Sequence, residues 1–486
     1  MAELTRPRGF PSGMEVAASG YARGHARPRG KGWAAVAVGV GLLAGSTQLM
    51  LRGVEPFATS FYLFAWYSTL LALYGALALS AGRSPRLRRP TSLLTMLAWS
   101  AVLWLFFELV NLRLRNWYYV FVPASPWVRW PCIILSFATV LPAVFGAEAM
   151  LEARDVFEEK RWPRLRVTPR LLTGMQVAGA LMFLLPMAWP RYFFPLVWGT
   201  TTFMLEPAVY RRDRSRSLLA DLEEGRPARL LRLLAGGAAI GFLWELFNIA
   251  ARGKWIYTVP FFEEAKLFEM PVLGFLGFPP FAVDCFVVWQ LLVLAGVAVG
   301  LDGRARPGSG LRRLGAFVVA AVFTALVAVG MEDRTISSVR PLIEGVPGVP
   351  AAQLSAAGYA DPFVLARASV PDVAERTGAL PAAAAAWIEE ARLVALRGIG
   401  DGNASLLARV GVTNVPTLAA QDPALLAQRL RAAGAGEVLD ARVRVWVRAA
   451  RKAVGGPPLQ ATTSRLPAGS AAAGARTSPM TAAAGV

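Results

Sequence analysis

Residues Gly241–Pro260 read GFLWELFNIAARGKWIYTVP, and residues Trp104–Pro123 read WLFFELVNLRLRNWYYVFVP. Each stretch closes a strongly apolar run. Each sets a glutamate and, three residues on, an asparagine on one helix face. Each then ends in an aromatic cluster and a proline. Glu108 falls on Glu245 and Asn111 on Asn248 at an offset of 137. Trp117 falls near Trp255 and Pro131 near Pro271, and Pro142 meets Pro279. Glu148 meets Asp284 at an offset of 136, while Arg52 and Pro56 meet Arg191 and Pro195 at 139. An ordered series at nearly constant offset marks an internal repeat.

The apolar runs set the class. The chain has 486 residues, 55% hydrophobic and 17% charged, too apolar for a soluble protein of this length. Windows of about 19 residues give nine expected spans, at 33–51, 57–81, 92–112, 131–153, 171–189, 193–210, 230–250, 279–300 and 314–331. The expected fold is an all-α polytopic membrane protein. A four-helix unit at 33–153 is duplicated at 171–300, and a ninth helix follows at 314–331. An even number of spans per unit makes the repeats parallel. The arm 1–32 and the tail 454–486, rich in Gly, Pro, Ala, Ser and Thr, are expected to be disordered. The first span follows a basic arm without a clear small-residue cleavage site, which argues against a signal peptide.

The net charge of +19 is unevenly placed. The arm and the loops 82–91, 152–170, 211–229 and 301–313 hold 26 Lys and Arg, against eight in 51–56, 113–130, 190–192 and 251–270. The positive-inside rule then puts the amino terminus in the cytoplasm of a cell whose plasma (inner) membrane holds the chain. Nine spans put the carboxy-terminal domain outside. The charge is thus a topology signal, and nucleic acid is not expected as a partner. Cys132 and Cys285 lie in or beside apolar segments, and the one histidine, His25, lies in the arm. No metal site and no cofactor is implied, and a Ser-His or Cys-His arrangement in the membrane is excluded. Acid–base chemistry there falls to carboxylates, Arg, Lys or Tyr.

Glu108 and Glu245 are expected near the outer ends of their spans. Pro279 and Pro280 suit a first helical turn, which makes PVLGFLG a re-entrant or interfacial piece. That sets Asp284 at a depth similar to Glu245, and Glu148 by the same logic near Glu108. These four carboxylates are the candidate acid–base groups. Arg52, Asn111, Tyr119, Arg191, Asn248, Trp255 and Tyr257 are the candidate ligand-binding groups, with the aromatics as a lid. The aromatics also suit a headgroup belt, and Glu and Asn also suit interhelical bonding. A carboxylate in the bilayer interior costs roughly 2.5–3.5 kcal/mol on insertion scales, so two equivalent placements point to function.

The elements WELFN, KWIY and GFPPFAVDC, with FFELVN, NWYY and LPAVFGAE in the first unit, resemble small membrane-type lycopene cyclases and the related carotenoid hydratases. The resemblance covers about 50 residues per unit, and the Pro-x-Glu-Glu signature of the cyclases is absent. It implies protonation of an isoprenoid double bond by carboxylates in an apolar pocket.

After the ninth span the chain becomes Ala-rich. LRGIGDGNASLLARVGV, Leu396–Val412, resembles a helix-hairpin-helix with Gly398-Ile399-Gly400 as hairpin. Fifty-three residues earlier, IEGVPGVPAAQLSAAGY carries Gly345 and Val346 in the matching place, with Pro347 for the second glycine. Leu407 matches Leu354, and Trp446 matches Trp387 after six extra residues. Tandem units at 342–392 and 393–453 are expected. In this family hairpin amides can cradle a DNA phosphate. Here 342–453 holds 12 basic and 10 acidic residues, too balanced for a phosphate-reading face, so a protein partner or self-association is favoured.

The function expected first is binding of a membrane lipid-like ligand or partner in a duplicated polar pocket near the outer leaflet. The alternative is an enzyme acting on an isoprenoid-like lipid through carboxylates, and the second alternative is a transporter.

Overall fold

The computed structural model of the protein describes residues 29–80, 90–261, 265–300, 308–435 and 438–455. Most of the arm, with His25, and nearly all of the tail lie outside them, so the expected disorder falls there too. The first helix starts at Arg29, inside the segment assigned to the arm. The chain is mostly helical, and eight helices among the described residues are long and apolar enough to cross a membrane, as an integral membrane protein requires.

The main helices begin with α1 (Arg29–Leu51), α2 (Phe57–Leu79), α3 (Pro90–Leu114), α4 (Pro126–Phe137), α5 (Val140–Glu152) and α6 (Pro169–Ala188). They are followed by α7 (Thr200–Arg212), α8 (Ala228–Ala250), α9 (Phe278–Leu294) and α10 (Gly310–Arg334). α4 and α5 together fill the expected fourth span. The sixth expected span, 193–210, is not one helix. Pro190–Phe193 and Phe194–Val197 are short turns, Gly199 stands at φ +105°, and α7 starts only at Thr200. Pro195 supplies no N–H and Gly199 allows the left-handed turn, so the helix breaks there. The eighth differs less. Val272–Gly277 is a 3-10 turn, then α9 carries Pro279 and Pro280 in its first turn and ends at Leu294, short of the expected Gly300.

The main departure from an all-α reading is a ribbon. β1 (Trp117–Val120) leaves α3, β2 (Lys254–Tyr257) leaves α8, and the two pair antiparallel. Trp117 lies opposite Tyr257, Tyr118 opposite Ile256, Tyr119 opposite Trp255, and Val120 opposite Lys254. Side chains alternate across a strand, so the ribbon has two working faces. Trp117, Tyr119, Trp255 and Tyr257 pack with Leu105, Ile133 and Phe137 of the helical part. Tyr118, Val120 and Ile256 join the core of the carboxy-terminal domain, beside Ile399 and Trp446.

That domain follows α10. Short helices at Ala351–Ala356, Pro362–Leu365 and Val370–Thr377 lead to a longer one at Pro381–Ala395. A second set runs Gly400–Ala408, Val415–Ala419, Pro423–Ala432 and Asp440–Ala453. Leu354 and Leu407, matched in the sequence, are both fully buried in one core. The domain sits on the ribbon end of the helical part. Tyr119 N–H donates to Thr335 O, Ser337 N–H to Tyr119 O, and Arg340 N–H to Val122 O.

Candidate functional site

Asparagine makes the turn from helix to strand. Asn111 Oδ1 accepts the Asn116 N–H at 2.9 Å, and its Nδ2 donates to Trp117 O at 3.0 Å. Asn248 does the same work: Nδ2 donates to Trp255 O at 3.0 Å and Oδ1 accepts the Trp255 N–H at 3.1 Å. A buried amide satisfied by backbone at the start of the strand fixes where the aromatic side chains point. The tyrosine two residues on then reaches back to the glutamate one turn before the asparagine. Tyr119 OH donates to Glu108 Oε1 at 2.5 Å and Tyr257 OH to Glu245 Oε1 at 2.9 Å. Burial, then the neighbouring carboxylate, holds both phenols well above the usual tyrosine range, so they act as donors.

The two carboxylates are answered unequally. Glu108 Oε1 also accepts Trp104 Nε1–H at 2.9 Å and Trp117 Nε1–H at 3.0 Å. Glu245 Oε1 accepts the hydrogen bond from Tyr257. Both are fully buried, and Oε2 of each has no hydrogen-bond partner among the described residues. Residues of both sets line one shared cavity, with Glu245 in its wall and Glu108 behind it. A cavity of about 160 Å³ is lined by Trp104, Trp117 and Tyr119 from the first set and by Trp244, Glu245 and Tyr257 from the second. Trp198, Phe281 and the backbone of the α9 turn complete walls that are largely apolar and aromatic.

The other expected groups sit elsewhere. Asp284 does not pair with Glu245. Its Oδ2 accepts the Gly199 N–H at 2.7 Å, and its Oδ1 accepts Thr202 N–H at 2.7 Å and Thr202 Oγ1–H at 2.6 Å. It caps the broken helix, whose first N–H groups have no intrahelical acceptor. Glu148 is not beside Glu108. It meets Arg232 Nε at 3.2 Å, and that arginine also reaches Glu152 at 3.7 Å and Glu158 at 3.0 Å. Arg52 and Arg191 are exposed at helix ends, Arg191 over the Tyr192 ring, and the cavity lining does not include them.

Other residues at the ribbon were missed in the sequence. Arg252, directly after α8, bridges Glu55 and Asp361 at 3.0 Å each and stacks over Phe363. Arg397 pairs with the fully buried Glu269. Lys254 Nζ donates to Ile249 O, a free carbonyl at the end of α8, at 2.7 Å. Burial, opposed by Glu269, lowers that amine to about 8. Only the clustering of Arg252 and Lys254 beside the aromatics signalled them.

The hairpin residues face inward. Gly398 and Gly400 both take positive φ, and Ile399 is fully buried. Tyr118 OH donates to Gly398 O at 3.3 Å, a Cβ on Gly398 would lie 2.8 Å from that hydroxyl, and Asp401 accepts Ser338 Oγ–H at 2.9 Å. Gly345 lies against the Asp401 side chain, and Val346 is buried. Among the described residues no group of three or more His, Cys, Asp or Glu is placed to hold a metal ion.

Residues 363–453 match the model of a family described as a domain of unknown function, DUF4332. No curated protein and no solved structure matches the chain, and the resemblances to membrane cyclases and to helix-hairpin-helix domains find no support in these comparisons.

Proposed function

We propose that this chain is a plasma-membrane protein that binds a lipid-like amphiphile in the cavity beneath the ribbon. The observation that carries the reading is the buried Glu245 in the wall of a largely apolar and aromatic cavity, with one oxygen unpartnered among the described residues. Ligand sites are mostly apolar with a few convergent polar groups, and a buried polar atom without a partner asks for one.

The two halves, 33–153 and 171–300, are read as a duplication. Matching Glu–Asn–Tyr bonding and the pairing of β1 with β2 support it. A ninth crossing at 190–212 is part of the proposal, because Arg113 reaches Ala188 O at one end and Arg216 reaches Gln290 at the other. With the amino terminus inside, the ribbon and the carboxy-terminal domain stand outside. That domain is read as two helix-hairpin-helix units. Three of its second-set helices begin 53, 53 and 59 residues after their first-set counterparts. The Gly398–Gly400 hairpin is occupied by Tyr118 and Ser338, which favours a clasp on the ribbon over nucleic acid and leaves the domain's outer surface for a protein partner or self-association.

The test is lipid analysis of the purified full chain. A stoichiometric lipid-like species lost from Glu245→Gln, at unchanged thermal stability, supports binding. The second reading, acid catalysis on an isoprenoid-like lipid, is favoured by the same open carboxyl oxygen beside Tyr257. It requires an altered isoprenoid profile in cells lacking the protein, and an unchanged extract would remove it.

A further inference from the structure

The reading of the cavity as a lipid-like ligand's site leaves the head group open, and the charges around it narrow the choice. Three acids gather beneath and beside the ribbon: Glu108, Glu245 and Glu269, all fully buried. Each keeps one oxygen without a hydrogen-bond partner among the described residues. The nearby cations are already engaged. Arg397 pairs with Glu269, and Lys254, which also lines the cavity, has its Nζ bonded to Ile249 O. Lys266, half-buried, is the other cation whose charge reaches Glu245.

Much of the remaining wall is aromatic. Trp104, Trp117, Tyr119, Trp244, Trp255 and Tyr257 all line the cavity. Ring faces attract a cation, most strongly where water is excluded, and a buried carboxylate oxygen is best answered by a charged donor. A neutral hydroxyl satisfies one oxygen and gains nothing from the rings, and an anion meets the acids as a like charge.

We infer that the cavity takes an amphiphile with a protonated amine head, its N–H groups on Glu245 Oε2 and its charge against the tryptophan and tyrosine rings. The amine supplies the missing donor, and the hydrocarbon chain fills the apolar wall toward Phe281 and Trp198.

The test uses the full chain in lipid nanodiscs and three probes of one chain length: dodecylamine, dodecanol and dodecanoate. Intrinsic tryptophan fluorescence reports binding, with empty nanodiscs correcting for partition. The amine is expected to bind roughly tenfold tighter than the alcohol, the factor that one charge-assisted contact plus cation–π attraction supplies, with dodecanoate weakest. Glu245→Gln is expected to bring amine and alcohol within about twofold of each other. The probe series on the unaltered chain decides by itself should the variant fail to fold. Alcohol binding as tight as amine binding overturns the inference and leaves the cavity reading standing. No saturable binding of any probe overturns both.

Discussion

Glu108 and Glu245 hold matching places in their helices, and their surroundings part company. Glu108 gathers Trp104, Trp117 and Tyr119 on one oxygen, and those donors, not the carboxylate, form the cavity wall. Glu245 takes a bond from Tyr257 and itself stands in the wall, while Trp244 Nε1 has no partner among the described residues. On the proposed reading, Glu108 fastens the ribbon and Glu245 keeps an oxygen for a ligand in the cavity it lines. A duplicated unit can divide labour in this way, because the fastened half supplies the rigid geometry that the open half needs.

Substitutions separate the two glutamates. Glu108→Leu strands three buried donors at once. At about 1–3 kcal/mol for a buried group left unmade, the loss should be at least about 3 kcal/mol, read as a large fall in the unfolding temperature of the detergent-purified protein. A fall no greater than that of Glu245→Gln would erase the proposed division.

Arg252→Ala comes next. It removes bonds to Glu55 and Asp361 and a stack on Phe363, where the carboxy-terminal domain meets the helical part. Hydrogen bonds to charged groups contribute about 1.5–3 kcal/mol, so the domain should detach more readily and be cut sooner by protease in the linker after α10. Asp284→Ala should cost about 1–2 kcal/mol, the loss of a helix cap, measured by the same thermal unfolding. Lipid content should be unchanged, because Asp284 serves the start of α7 and not the cavity.

Lys254 gives a smaller, pH-dependent effect. Burial lowers its amine from 10.5 to about 8. Between those values the unfolded chain holds more protons than the folded one, so this residue's contribution to stability rises with pH across about 8 to 10.5. Wild type and Lys254→Met should therefore differ in the slope of unfolding temperature against pH in that window, the variant being flatter.

Much of this site was legible and part was not. Glu, Asn and the W-x-Y pattern stand out because three-residue and two-residue spacings are the periods of helix and strand. The ribbon was hidden because its strands come from Trp117–Val120 and Lys254–Tyr257, distant in sequence, and each alone reads as a headgroup belt. The break at Gly199 was averaged away by a window set to the width of a bilayer, although Pro195 and Gly199 were both in view. Asp284 misled because its partners lie on another helix, 82 and 85 residues away. Arg52 and Arg191 matched by offset, yet Arg252 holds the interior place, since an arginine's partners, here Glu55 and Asp361, are set by tertiary packing.

Native mass spectrometry of the full chain and its Glu245→Gln variant, released from the same detergent, separates a binding Glu245 from a fastening Glu108. Glutamine keeps an acceptor for Tyr257, so stability should change by less than about 1 kcal/mol. The expected result is a folded variant that has lost its bound amphiphile. A folded variant that retains the amphiphile at the wild-type ratio would contradict it.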